Sequence, residues 1–205
     1  MVFTLVSFCL TVIGTALTVW SIVYAIFTTK KHNKKEKQLS TITWEQILIA
    51  SNEISKSLKG ESFSPDIIIS PGQKGGIFAQ LLMDDLDIVI PIFTGFLIPS
   101  DNRLSESIDE HKYLFCNTTK WNVYISKEVL EYKEKNVLIV DDLVMSGDFL
   151  HTIKQRLCTS GFNKKNIRFI SIVTTDVAIS TKKSPDYYWK KLTADECYFP
   201  WGKAK

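Results

Sequence analysis

Val137-Leu138-Ile139-Val140-Asp141-Asp142 is the segment that most constrains what this chain can fold into. Four consecutive apolar residues leave neither face of a strand for water, so the strand belongs in a sheet covered on both sides, which is the environment of parallel strands. Two adjacent carboxylates emerge at its carboxyl end. A short connection through Ser146 and Gly147 comes next, then a predicted helix from Asp148 to Thr159 that Gly161 stops. The same order occurs earlier. Asp66 to Ser70 is a short apolar strand after Pro65, Ser70-Pro71-Gly72-Gln73-Lys74-Gly75-Gly76 is a glycine-rich turn, and Ile77, Phe78, Leu81 and Leu82 mark a helix. Thr43-Trp44-Glu45-Gln46 has capping-box spacing ahead of a helical stripe through Trp44, Ile47, Leu48, Ile54 and Leu58, closed by Gly60. Strands are also predicted over Asp87 to Phe93, Trp121 to Ser126 and Ile167 to Thr174, with residues 95–120 a polar, irregular, mobile loop. Such alternation predicts a parallel, Rossmann-like α/β sheet with helices on both faces and its ligand at the carboxyl ends of the strands.

The N-terminal end obeys other rules. The chain has 205 residues and a formal net charge of +3, yet no charged side chain precedes Lys30. Val2 to Phe27 is apolar or small throughout; as a helix it spans about 39 Å, against a hydrocarbon core of roughly 30 Å. No positive n-region precedes it and its apolar run is too long for a secretory signal, so residues 1–29 are predicted to be a single-pass transmembrane anchor. Lys30, Lys31, Lys34, Lys35 and Lys37, opposed only by Glu36, come directly after it in a basic linker over 30–40. By the positive-inside rule the N-terminus lies outside and the remainder, 41–205, in the cytoplasm, with the lipid bilayer as one partner. The collar accounts for the whole positive balance and leaves the rest slightly acidic, which removes the footing for nucleic-acid binding. The remainder of the chain is long enough for one domain with its own core. Cys9, Cys116, Cys158 and Cys197 have no C-x-x-C spacing and read as reduced thiols. His32, His111 and His151 lack metal-ligand spacing, and neither G-x-S-x-G nor H-E-x-x-H occurs.

The two loops carry the chemistry. Adjacent acids at a strand end can accept hydrogen bonds from vicinal hydroxyls or reach a hydrated Mg²⁺. Backbone N–H groups where Ser146 and Gly147 enter a helix form a nest for a phosphate, so a ribose 5-phosphate satisfies both halves at once. The earlier turn is neither a Walker A loop nor a dinucleotide fingerprint.

With these residues in this order, the chain resembles the type I phosphoribosyltransferase family, nearest its 6-oxopurine branch, over roughly residues 62–175. The resemblance implies a core over 62–175 with a small C-terminal hood over 176–205. It implies transfer of ribose 5-phosphate from phosphoribosyl pyrophosphate to a nitrogenous base, with pyrophosphate released and Mg²⁺ carried on the substrate. In that scheme Asp141 and Asp142 are catalytic, holding the ribose hydroxyls and indirectly the metal. Val144, Met145, Ser146, Gly147, Asp148 and Phe149 bind the 5-phosphate, and Gly72, Gln73, Lys74 and Gly75 bind the pyrophosphate, whose charge Lys74 neutralises. Pro185-Asp186-Tyr187-Tyr188 and Tyr198-Phe199-Pro200-Trp201 look like the hood that recognises the base, through Tyr198, Phe199 and Trp201. Packing of a small subdomain explains the aromatic residues equally well. A homo-oligomer is compatible with the sequence and not specified by it.

Three positions depart from the family. Met145 stands where the 6-oxopurine branch has its proton acceptor, Phe149 where a second phosphate-binding hydroxyl is usual, and Glu196 where the hood has a stacking ring. Near Val177 no lysine matches the one that reads the purine oxygen, although Lys182 and Lys183 lie close by. The features for ribose, phosphate and pyrophosphate are kept while those for the base are eroded. An enzyme is therefore the first expectation. A non-catalytic sensor of phosphoribosyl pyrophosphate or a nucleotide is the second, and a membrane-assembly protein with a vestigial pocket the third.

Overall fold

The computed structural model describes residues 39–61, 63–102, 108–109, 111–193 and 196–204, together with Trp20. The chain divides into two units, Met1–Gln38 and Leu39–Lys205, and the fold described is that of the second. Trp20 apart, the predicted membrane span and its lysine collar lie outside the described residues. Among those described, no helix is long and apolar enough to cross a membrane.

A five-stranded sheet forms the centre, in the order β3 (Ile92–Thr94), β2 (Ile67–Ser70), β7 (Val137–Val144), β8 (Ile167–Thr175), β9 (Tyr187–Leu192). Every pairing in it is parallel. β7 sits in the middle, and the apolar run that opens it is fully buried. Successive side chains go to opposite faces. Ile68, Leu138, Val140, Ile170 and Ile172 join one core cluster with α1 (Trp44–Gly60) and α2 (Gln73–Leu86) through Ile47, Ile54, Leu58, Phe78 and Leu82. Ile67, Ile69, Val137, Ile139, Ile167 and Phe169 join the other, with α3 (Asp148–Thr159) through Leu150, Ile153 and Leu157.

The predicted capping box is present: the Gln46 amide donates to Thr43 Oγ1 at 3.3 Å and the Thr43 amide to Gln46 Oε1 at 3.1 Å. α3 runs over the predicted residues, and β7 extends past the acids to Val144. Cys116, Cys158 and Cys197 are free thiols. Burial pushes Cys116 and Cys197 up to about 11.

Three expectations are corrected. The strand over Asp87 to Phe93 begins only at Ile92, because Asp87 is the left-handed C-cap of α2 (φ 57°) and its amide bonds back to Asp84 and Met83. Residues 95–120 are not an irregular loop. They contain β4 (Phe96–Pro99) and β5 (Tyr113–Asn117), which pair antiparallel with β6 (Trp121–Ser126); residues 103–107 and 110 lie outside the described set. Leu114, Cys116, Val123 and Ile125 of this sheet pack with α3 on the second face, which helices therefore cover only in part. Its other side is aromatic, with Phe96 stacked on Tyr124 at 5.0 Å and meeting Tyr113 edge-on at 5.2 Å.

The C-terminal stretch also divides. β9 is an edge strand of the central sheet. β10 (Glu196–Phe199) lies between β1 (Leu39–Thr41), parallel to it, and β11 (Gly202–Lys203), antiparallel. The small sheet thus joins residues from both ends of the unit.

Candidate functional site

Gly72 caps α2 just past β2, with Ser70 Oγ donating to its carbonyl at 2.5 Å. α2 then starts very close to the end of β7. A Cβ on Gly75 would lie 2.4 Å from the Val140 carbonyl oxygen and 2.9 Å from Asp141 Cα, so only glycine admits this approach. Lys74 is thereby set over the carboxyl end of β7, and its ammonium donates to the backbone carbonyl of Lys203.

Asp141 is half-buried and Asp142 is 6% exposed. The Asp142 amide donates to Asp141 Oδ1 at 3.0 Å, and the Trp201 indole Nε1 donates to Asp142 Oδ2 at 3.0 Å. Burial, and then the neighbouring Asp142 charge, push Asp141 well above the usual carboxylate range, against the pull of the Asp142 amide and Lys74. Burial also raises Asp142, opposed first by the Trp201 N–H and then by Lys74. Two carboxylates and one ammonium leave this floor short of positive charge, which suits groups that donate hydrogen bonds or carry a cation.

The pair also affects stability. Folded Asp141 keeps its proton to higher pH than the unfolded chain, where Asp titrates near 3.9. The stabilisation this gives is complete below that value and is lost as pH rises through the folded pKa. Asp141→Asn is therefore expected to raise the melting temperature at pH 7 by about 3 °C or more, and to change it little at pH 4. Thermal melts at the two values check this; an equal gain at both counts against a buried charge.

Gly147 opens α3 in the left-handed region (φ 77°), beside the Lys183 backbone. Ser146 Oγ donates to Asp148 Oδ2 at 2.8 Å and accepts from the Asp148 amide at 3.3 Å. Lys183 Nζ meets Asp148 Oδ1 at 2.5 Å. These Lys183 and Ser146 hydrogen bonds hold the exposed Asp148 carboxyl below its ordinary value. Thr175 Oγ1 donates to the Met145 carbonyl, which ties the loop to the end of β8. The first amides of a helix have no partner within it, so this loop presents N–H groups to whatever lies over it.

One cavity of about 610 Å³ gathers these parts. Gly72, Gln73, Lys74, Asp141, Asp142, Val144, Met145, Ser146, Gly147, Asp148 and Phe149 all line it. Gly75 does not; it is buried against β7. Phe149 lines the cavity while also packing, half-buried, on the second core cluster.

Tyr198, Phe199 and Trp201 are not among the lining residues. Phe199 is 4% exposed in the core, which leaves no face for a base. Trp201 stacks on it at 5.2 Å, and Tyr198 has the Lys203 ammonium over its ring at 5.7 Å. The opposite wall is Phe96, Leu97, Thr118, Thr119, Lys120 and Trp121, from β4 and the β5–β6 turn, which the sequence reading missed. The signal was present: alternating Tyr113 and Phe115, then a Thr-Thr-Lys turn in which Thr118 Oγ1 donates to the Trp121 carbonyl and accepts its amide, mark a hairpin.

Fold and cavity together define an α/β protein whose cavity lies at the carboxyl end of a parallel sheet, between a glycine-rich turn and a helix-opening loop. The chain belongs to the phosphoribosyl transferase domain family, which matches residues 24–203. Comparison with curated protein sequences gives no match. Among solved structures, a purine phosphoribosyltransferase from Pyrococcus horikoshii Ot3 is similar, with 22% identity, a TM-score of 0.59, and coverage of 82% of this chain and 96% of that one. A Helicobacter pylori xanthine-guanine-hypoxanthine phosphoribosyltransferase has 17% identity and a TM-score of 0.59, over 80% and 94% of the two chains. A hypothetical protein from Neisseria gonorrhoeae with bound ppGpp has 18% identity and a TM-score of 0.58, over 80% and 89%. At such identities the likeness is one of fold.

Proposed function

We propose that this domain transfers ribose 5-phosphate from phosphoribosyl pyrophosphate to a nitrogenous base and releases pyrophosphate. The observation that carries the reading is the convergence of Lys74, the Asp141–Asp142 pair and the 144–149 loop on one cavity. The loop amides receive the 5-phosphate. The two carboxylates accept from the ribose hydroxyls. Lys74, with the amides of the Gly72 turn, takes the charge that builds on the departing pyrophosphate. The C1–O bond breaks toward pyrophosphate and a nitrogen of the base bonds to C1, through an oxocarbenium-like transition state, and the proton that the base gives up passes to the departing pyrophosphate or to water. Holding both ends of the donor supplies much of the acceleration.

Mg²⁺ fits the same floor. The carboxylates are two, adjacent and short of positive charge, and among the described residues no group of three or more metal-ligating side chains gathers. That set suits a cation held by the substrate's oxygens and by water, with Asp141 and Asp142 as outer acceptors. If bound there, Mg²⁺ would offset charge on the pyrophosphate, with Asp141 and Asp142 as its outer acceptors.

Met145 and Phe149 on the cavity wall favour a second reading, in which the pocket senses phosphoribosyl pyrophosphate or a nucleotide without turnover. Met145 cannot take the proton of an incoming base. Under either reading the domain is cytoplasmic, tethered by the uncharged segment 2–27 with the lysines beyond it on the same side.

The full chain, mixed with Mg²⁺, phosphoribosyl pyrophosphate and a panel of bases, is expected to release pyrophosphate with at least one base. Asp142→Asn is expected to cut the rate by roughly 100-fold. Tight binding with no release from any base supports the sensor and overturns the enzyme. Absence of binding overturns both.

A further inference from the structure

Trp201 does not line the cavity, yet it reaches the floor of the site. Its indole Nε1 donates to Asp142 Oδ2 at 3.0 Å. The ring is clamped on two sides. It lies parallel to Phe199 at 5.2 Å, and Trp44 meets it at 5.6 Å and 68°. Phe199 is itself fixed in the core, and Trp44 begins the capped helix α1. Trp201 stands in the turn between β10 and β11, and β10 is gripped on its far side by β1, where the Ile42 amide also donates to the Tyr198 carbonyl at 2.8 Å. Two residues on, the Lys203 carbonyl accepts from the Lys74 ammonium, while the Lys203 ammonium pairs with Glu196 at 2.9 Å. The turn and the first residues of β11 therefore hold one group on β7, Asp142, and one at the start of α2, Lys74.

We infer that Trp201 is a positioning residue, acting through Asp142, and that the turn carrying it sets the Asp142 carboxylate and the Lys74 ammonium relative to each other. An aspartate carboxylate can rotate about its side-chain bonds, and an N–H on a ring held by one stacked and one edge-on neighbour pins one oxygen while leaving lone pairs for a ligand. An ammonium has three N–H groups, so the one given to Lys203 leaves two for an anion. Neither contact blocks the cavity; both pre-orient it. The hydrogen bond stands on geometry alone, whereas its effect on binding rests on the function proposed above.

The test uses the full chain, with phosphoribosyl pyrophosphate as the probe. Trp201→Phe keeps the stacked ring and loses the N–H. It is expected to weaken binding about tenfold, as for one charge-assisted hydrogen bond, with a melting temperature close to that of the parent. The double variant with Asp142→Ala is expected to bind no more weakly than Asp142→Ala alone, since the two changes break one interaction. Unchanged binding in Trp201→Phe, or losses that multiply in the double variant, overturns the inference and leaves the proposed function standing. A second measurement needs no ligand. The indole N–H resonance of Trp201, identified by its loss in Trp201→Phe, is expected to move strongly in Asp142→Ala. An unmoved resonance overturns the inference whatever the chain binds, whereas a moved resonance without binding by the parent chain overturns the proposed function alone.

Discussion

Gly147→Ala is expected to abolish binding of phosphoribosyl pyrophosphate and to destabilise the domain by about 2–5 kcal/mol. Two costs combine. Gly147 has φ 77°, in the left-handed region, where an alanine costs about 1–2 kcal/mol relative to its preferred conformations. The added Cβ would also lie 2.0 Å from the Lys183 carbonyl oxygen and 2.8 Å from its carbonyl carbon. Those are backbone atoms, so no side chain can swing aside. Either the loop or the 181–184 segment has to move, at about 1–3 kcal/mol for an overpacked site. Movement of either pulls on Thr175 and Thr181, which hydrogen-bond to the Met145 and Ser146 carbonyls. The amides that form the nest then lose their common focus. Calorimetric binding and a thermal melt check both halves; a variant that binds like the parent would remove this loop from the phosphate site.

Gly75→Ala should have an effect of similar size for a different reason. Gly75 lies within α2, where alanine is the better helix former by about 1 kcal/mol, so helix propensity alone predicts stabilisation. Packing opposes it. The new methyl would meet the Val140 carbonyl at 2.4 Å, Ser70 Oγ at 2.7 Å and Asp141 Cα at 2.9 Å. Only the serine can turn away, and it gives up its bond to the Gly72 carbonyl when it does. The start of α2 must therefore back off from β7, taking Lys74 away from the aspartate pair. The expected result is a loss of binding of at least tenfold together with a lower melting temperature. A rise in melting temperature with binding intact would mean that the two loops tolerate separation.

The legibility of the fold and the site in the sequence depends on where the information sits along the chain. β7, its acids, the Ser146–Gly147 turn and α3 are contiguous, and their order of apolar run, charge and glycine is a local signal. The glycine turn after β2 is local too, which is why Gly72, Gln73 and Lys74 meet Asp141 and Asp142 as expected. β6 was legible, but β4 and β5 were missed because they are short and half-buried, and β4 ends in proline, so polar loop composition outweighed the alternation. The hood's aromatic residues stayed ambiguous for another reason. Whether Phe199 faces a ligand or the core depends on β1, far away in sequence, and no local pattern encodes that partner. Met145 and Phe149 could be recognised as departures, but only the folded structure shows that both line the cavity.

The pairing of β1 with β10 bears on how the protein matures as it is made. β10 leaves the ribosome long after β1, so β1 and the exposed indole of Trp44 have no partner while most of the domain is being synthesised. The strands and covering helices of the central sheet all precede β10, whereas Cys197, Phe199 and Ala204 complete the core cluster on its first face. Asp142 and Lys74 meet Trp201 and Lys203 only when β10 and β11 dock. A nascent chain truncated after β9 should therefore lack part of that core cluster as well as the contacts that Trp201 and Lys203 make to Asp142 and Lys74. The contacts to Asp142 and Lys74 are thus gained in one late step, when β10, its turn and β11 dock.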